Sequence, residues 1–275
     1  MRIMRKMFLW SIILAVLIGV YATYIERNLL ITENHDLQFN KNGNDRLKVV
    51  QFTDTQLGEF YSIDKLEKAV NKINEQNADI VVFTGDLIDN AASYEDINKV
   101  AAVLSKIKCN ISKYAIYGNH DYGGGAVRYY NNIMSESGFT VLKNDNNRIK
   151  FKNKYINIFG ADDGLLGNND INKTMKNVNE DDINILLLHE PDLADKYSKY
   201  PIDLILSGHS HGGQVYIPFY GPLVKNTLSE KYSKGFYKIT NKRKTKLYVN
   251  SGLGNTKAPF RLFNIPQVST FNIKI

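Results

Sequence analysis

Five short apolar runs in this chain each stop at a polar side chain able to hold a metal ion. No other feature constrains the fold as tightly. Residues 47–53 are followed by Asp54 and Gln56, residues 79–84 by Gly85 and Asp86, and residues 114–117 by Gly118, Asn119, His120 and Asp121. Residues 184–188 lead to His189, and residues 203–206 to Gly208, His209, Ser210 and His211. Apolar runs of this length read as buried strands. Amphipathic stretches separate the first three. Residues 64–74 align Leu66, Val70 and Ile73, residues 94–107 align Ile97, Ala101 and Leu104, and residues 126–137 form a third. A β-α-β-α order predicts an α/β fold with much parallel pairing. Further strands are expected at 155–159, 214–217, 235–239, 247–250 and 270–275. Two packed sheets flanked by helices is the simplest architecture. Ligand sites in such folds form at the carboxyl ends of strands, so the five ends are expected to share one pocket.

Local spacing supports that pocket. Asp54 and Gln56 are two residues apart, as are His209 and His211, and extended backbone aims such pairs the same way. Gly85, Gly118 and Gly208 precede these positions, where a larger residue would crowd a tight turn. The chain has five histidines. His120, His189, His209 and His211 all fall at strand ends, and only His35 does not. A lone histidine is usually a packing residue, but four beside Asp54, Asp86 and Asn119 point to a metal centre. The single cysteine, Cys109, excludes an internal disulfide and a thiolate zinc cluster. Oxygen and nitrogen donors suit Mn, Fe or Zn. Two ions sharing one carboxylate suit phosphoryl chemistry.

The N-terminus carries a different signal. Residues 7–25 contain no charged side chain, close to the length needed to cross a bilayer. Arg2, Arg5 and Lys6 precede the run, Glu26 and Arg27 follow it, and Trp10, Tyr21 and Tyr24 sit near its ends. The positive-inside rule places the N-terminus in the cytoplasm and the rest outside. The expectation is a retained anchor in residues 1–25. A cleaved signal peptide, with a weak site at Val20 and Ala22, is the alternative, and both export the domain. Residues 26–46, with Asn34, Asn40, Asn42, Gly43 and Asn44, read as a polar linker, and residues 47–275 as the catalytic domain. The net charge of +7 is spread over many lysines. Without an arginine-rich tract or a binding motif, nucleic acid is not an expected partner. No protein partner is inferable.

Together, Asp54-x-Gln56, Gly85-Asp86, Gly118-Asn119-His120-Asp121, His189 and Gly208-His209-x-His211 resemble the signature of the calcineurin-like metallophosphoesterases, in order and spacing. Residues 208–215 and 248–254, followed by Pro259 and Arg261, are similar to a bacterial membrane-linked branch often labelled as like UDP-diacylglucosamine pyrophosphatases. The resemblance implies a four-layer α/β/β/α sandwich. It also implies that Asp54, Gln56, Asp86 and His211 hold one metal and that Asp86, Asn119, His189 and His209 hold a second, with Asp86 as the bridge. His120 would stabilise the phosphate and protonate the leaving oxygen. Asp121 either orients His120 or serves as a turn residue or helix cap. Gln56 departs from the family pattern, which has histidine there. A neutral carbonyl ligand predicts weaker binding or a preference for Mn or Fe over Zn. Alternatively, Gln56 only hydrogen-bonds a metal-bound water.

The expected activity is hydrolysis of phosphate esters or pyrophosphates, on a small-molecule or lipid substrate, outside the cytoplasmic membrane. The alternative is a decayed metal-binding scaffold, against which the retained His120 speaks. By the same branch resemblance Arg261 would reach the substrate phosphate, its alternative being a surface arginine. Phe219, Tyr220 and Phe260 are expected in the core rather than as an apolar wall for a ligand. Gly123-Gly124-Gly125 is a flexible run without the lysine of a phosphate-cradling loop. Asp162-Asp163-Gly164 reads as a turn.

Overall fold

The computed structural model describes residues 1–39 and 45–275. Asn40, Asn42, Gly43 and Asn44 of the expected linker lie outside the described residues.

The strands in chain order are β1 (Ile31–Gln38), β2 (Arg46–Phe52), β3 (Ile80–Phe83), β4 (Ser112–Ala115), β5 (Phe139–Val141), β6 (Asp145–Phe151) and β7 (Lys154–Gly160). Then come β8 (Ile183–Leu187), β9 (Leu204–Ser207), β10 (Tyr216–Ile217), β11 (Gly221–Pro222), β12 (Gly235–Lys238), β13 (Lys246–Val249) and β14 (Gln267–Lys274). They form two six-stranded mixed sheets, ordered β1-β14-β2-β3-β4-β5 and β12-β13-β9-β8-β7-β6, plus the hairpin β10–β11. Parallel pairing runs through β2, β3, β4 and β5, and again through β7, β8, β9 and β13.

Period-two alternation builds the layers. Leu47 and Val49 of β2 face the second sheet, with Ile80, Val82, Ile158, Ile185, Leu187 and Leu206. Val50 and Phe52 of the same strand face the helices. Helix α1 is Arg2–Val20, α2 is Ile63–Asn74, α3 is Ile97–Leu104, α4 is Asn119–Gly123 and α5 is Val127–Glu136. Leu66, Val70 and Ile73 of α2, Leu104 of α3 and Tyr130 of α5 complete that outer layer. The opposite layer is thinner. A short helical turn, Pro191–Tyr197, covers the second sheet with Leu193, Ala194 and Tyr197. Two sheets flanked by helices is therefore the architecture, as the periodicity predicts.

The linker expectation needs correction. Residues Ile31–Gln38 form β1, which pairs in parallel with β14 along eight residues. Only Leu37 of this strand is buried, so it carries no hydrophobic alternation to read. Polar contacts fix it instead. Glu33 accepts from the Tyr248 hydroxyl at 2.6 Å, and His35 packs against Phe236, Tyr248 and Phe271.

Helix α1 buries no residue and continues through short turns to Asn28. Arg2–Asn28 is long and apolar enough to cross a membrane, by length and composition. Its last turns are docked: Ala22 and Glu26 are buried, and the Arg261 amide donates to the Ala22 carbonyl at 3.1 Å. The aromatic expectation also fails. Phe219, Tyr220 and Phe260 are all exposed, because the β10–β11 hairpin and the 256–260 loop project from the fold.

Candidate metal centre

The parallel strands β2, β3, β4, β8 and β9 deliver their following residues to one end of the sandwich. Two trios form there. Asp54, Asp86 and His211 bring ligand atoms within 4.8 Å of one another, and so do Asp86, His189 and His209. All five residues are buried. Asp86 belongs to both trios, which makes it the geometric bridge. The mouth is a cavity of about 290 Å³ whose lining includes Gln56, Asn119, His120, Lys225 and Lys257.

Backbone conformation places these side chains. Asp54, Gln56, Asp86, His209 and His211 all have positive φ, between 44° and 66°. The i, i+2 pairs are therefore not extended, contrary to the expectation from spacing. Abrupt left-handed turns at the strand ends aim them inward, a conformation that costs non-glycine residues and clusters at functional sites. Gly208 is needed because a Cβ there would come within 2.3 Å of Asp54 Oδ2.

The hydrogen bonds assign the imidazole nitrogens. His189 Nδ1 lies 2.6 Å from the Thr84 carbonyl, which only accepts, so Nδ1 carries the proton. Its Nε2 has no hydrogen-bond partner and faces Asp86 at 3.4 Å. His209 Nε2 donates to the Thr227 carbonyl at 2.8 Å. That turns the Nδ1 lone pair toward Asn119 Oδ1, also at 2.8 Å. Two acceptors so close repel unless they share a cation. His211 Nε2, 3.5 Å from Asp54, and Gln56 Oε1 are likewise buried without partners. Gln56 Nε2 donates to Asp86 at 3.1 Å. A cluster of unpaired lone pairs around two carboxylates fits divalent cations, with the Thr84 and Thr227 carbonyls orienting the imidazoles from behind.

The electrostatics agree. Burial pushes Asp54 up to about 7, and the charge on Asp86 adds to that. Burial also favours the neutral forms of Asp86 and His189. Without a cation, Asp86 nonetheless draws a proton onto His189 and raises it well above its ordinary value. That charge in turn holds the Asp86 carboxyl well below its ordinary range. A bound metal would displace the proton from Nε2. Burial lowers His209 to about 4, with His189 adding to it. Burial and the Arg261 charge hold His211 well below its ordinary value. Neutral imidazoles at His209 and His211 keep lone pairs available for metal.

His120 lines the mouth, and its Nδ1 meets Asp89 Oδ1 at 2.9 Å. Burial opposes its charge, yet the Asp89 hydrogen bond raises it to about 9. Asp121 therefore does not orient His120, and that expectation is corrected. Its two oxygens accept from the backbone amides of Asp86, Leu87 and Gly118, each at 2.9 Å, so it braces the turn that carries Asp86. Asp89 is the residue that sequence reasoning missed. Its signal was its position three residues after Asp86, on the same loop.

Arg261 is corrected too. It is fully buried, neither on the surface nor in the pocket. It donates to the carbonyls of Ser251 at 2.9 Å, Asn264 and Gly254, and lies 3.5 Å from His211 Nδ1. Gly124 is not loose either, since its carbonyl accepts from the Ala91 amide and its Cα packs on the Asp89 backbone. Asp163 is buried, and its Oδ2 accepts from the Leu166 and Gly167 amides, as a turn residue does.

Comparison with known proteins places this geometry. Residues 47–213 match the family described as calcineurin-like phosphoesterase. The chain is 38% identical over 257 residues to the uncharacterized metallophosphoesterase YkuE of Bacillus subtilis (strain 168), spanning 92% of this chain and 89% of that one. An uncharacterized metallophosphoesterase of Campylobacter jejuni, Cj0846, is 33% identical, over 83% of this chain and 59% of its own length. The UDP-2,3-diacylglucosamine pyrophosphatase LpxG of Chlamydia muridarum is 27% identical, over 92% of each chain.

Proposed function

Because this chain belongs to the calcineurin-like phosphoesterase family, and is thus a metal-dependent phosphoesterase, we propose that it hydrolyses a lipid-linked phosphate ester or pyrophosphate at the outer face of the cytoplasmic membrane. One observation carries the chemistry: two buried ligand trios meet at a single shared carboxylate, Asp86.

In this reading Asp54, Gln56, Asp86 and His211 hold one ion, and Asp86, Asn119, His189 and His209 the other, with Mn, Fe or Zn suited to the donors. When bound, the pair supplies Lewis acidity toward phosphoryl oxygens and acidifies a nucleophilic water. The chain's own residues do the rest. Asp89 holds His120 through Nδ1 and leaves Nε2 for the substrate. His120 then donates a proton to the leaving oxygen. Lys225 and Lys257 at the mouth favour an anionic substrate.

Two features support the substrate class. LpxG, a relative by sequence, is named for a diacylated sugar pyrophosphate. Arg2–Asn28 has the length and composition of a span, with Arg2, Arg5 and Lys6 at its N-terminal end. The reading retains residues 1–25 as an anchor, cytoplasmic at the N-terminus, with the domain from β1 onward outside.

The test is metal analysis of the purified full chain, joined to a panel of chromogenic monoesters and diesters, nucleotide-linked pyrophosphates and lipid-linked phosphates with added Mn. We expect close to two ions per chain and turnover of at least one class. Asp86→Asn should abolish that turnover. A panel with no hydrolysis, and no difference between wild type and Asp86→Asn, would favour the decayed scaffold instead.

A further inference from the structure

Resting on the reading of α1 as a membrane anchor, we propose that the aromatic rim beside the metal centre is itself seated in the bilayer. The mouth then opens against the lipid headgroups and takes its substrate from the membrane plane.

Continuity with the anchor is the first support. The Arg261 amide donates to the Ala22 carbonyl, and the Asn264 amide donates to the buried Glu26 carboxylate. The helix therefore ends against residues 261–264 rather than on a slack tether. That segment pairs with the start of the hairpin: Tyr216 donates to the Leu262 carbonyl at 2.9 Å, and Leu262 donates to the Gln214 carbonyl at 3.0 Å. The tip, between β10 and β11, lies only a few residues further on. At about 3.3 Å per residue, it stays within about one helix diameter of the anchor-bearing segment.

The composition of this surface is the second support. Phe219 is fully exposed, Tyr220 is 78% exposed and Phe263 58%, and Leu223 and Val224 stand out beside them. Phe219 and Phe263 hold φ at 66° and 55°, a left-handed conformation that aromatic residues rarely adopt. The backbone is thus bent to carry these rings outward. An apolar patch of this kind marks a membrane or protein contact. Lysines accompany it. Lys225 and Lys257 line the metal mouth, while Arg27, Lys65 and Lys68 border a cavity of about 150 Å³ at the anchor's base. Aromatic and basic residues together are the composition of the headgroup boundary.

The third support is a path inward. A groove of about 200 Å³ between the hairpin and the 256–260 loop is lined by Val215, Leu223, Val224 and Phe260, and its lining also includes His211. An acyl chain in it would hold the attached phosphate beside the metal ligands. The bilayer is the favoured occupant over a second protein because the anchor keeps it permanently at high effective concentration.

The full chain in vesicles tests this, read by tryptophan quenching with lipids brominated near the headgroup boundary. Trp10, the single native tryptophan, reports the anchor. In a Trp10→Phe background, Phe219→Trp and Phe263→Trp report the rim. Both positions are exposed, so neither exchange disturbs the core. Tyr155→Trp, at the opposite end of β7, reports the far pole. We expect Trp10 and both rim positions to lose roughly half their emission, as burial of about 5–10 Å requires, and position 155 to lose none. Quenching at Trp10 with none at either rim position overturns the proposal and leaves the anchor reading standing. Absence of quenching at Trp10 overturns the anchor reading, and the proposal falls with it. Equal quenching at position 155 reports indiscriminate adsorption and also overturns the proposal.

Discussion

At the level of single residues, the centre is held by strain and by second contacts. Five candidate ligands sit in left-handed backbone, at a cost of about 1–3 kcal/mol each. Three predictions belong here. Asp89 acts on the reaction only through His120, so Asp89→Asn should lower kcat about 10- to 100-fold with metal content unchanged. Loss of metal in that variant would instead make Asp89 a part of the cation site. Gln56 donates to Asp86 and leaves its carbonyl oxygen unpaired. Gln56→His should raise occupancy of the first site and shift its preference toward Zn. Equal metal content and preference in both proteins would mean that Gln56 only hydrogen-bonds. Arg261→Ala leaves the Ser251, Asn264 and Gly254 carbonyls without their shared donor. We expect a loss of about 2–4 kcal/mol in urea unfolding. An unchanged midpoint with a raised KM would return Arg261 to the substrate.

Among elements, β1 and the β10–β11 hairpin depart most from expectation. Both lack the signal that sequence reading relies on. β1 buries one side chain out of eight, and the hairpin's aromatic residues look like core until the fold turns them outward. Most of the buried strands and the amphipathic helices were legible to within a few residues, because burial on one face or two writes a period of 3.6 or 2 into the chain. By contrast, β5 and the largely polar edge strand β6 were not read from the sequence. β1 is an edge strand held by ladder bonds, Glu33 and the ring of His35. A chain starting at Asp45 should therefore be about 3–5 kcal/mol less stable than one starting at Leu29. Equal denaturation midpoints would return residues 31–38 to the role of a linker.

For the whole molecule, metal binding should be coupled to the fold. Asp54 and Asp86 are buried together, and their mutual repulsion would be relieved by cations that bind the native state alone. Chelation of the purified chain should abolish turnover and also lower its thermal midpoint, by several degrees for about 2–3 kcal/mol of lost binding. Added Mn should restore both. A midpoint insensitive to chelator would mean that the carboxylates are satisfied without metal.

The candidate ligand set was determined by sequence alone, because each of its members follows an apolar strand and strand order confines them to one end of the sheets. The apolar N-terminal run was equally plain. Only the tertiary structure separated the two carboxylates that look alike on paper, turning Asp121 to backbone amides and bringing Asp89 to His120. It also buried Arg261, added β1 to the sheet and placed the exposed aromatic residues beside the end of α1. These outcomes depend on which distant segments meet, and local periodicity records burial without recording the partner.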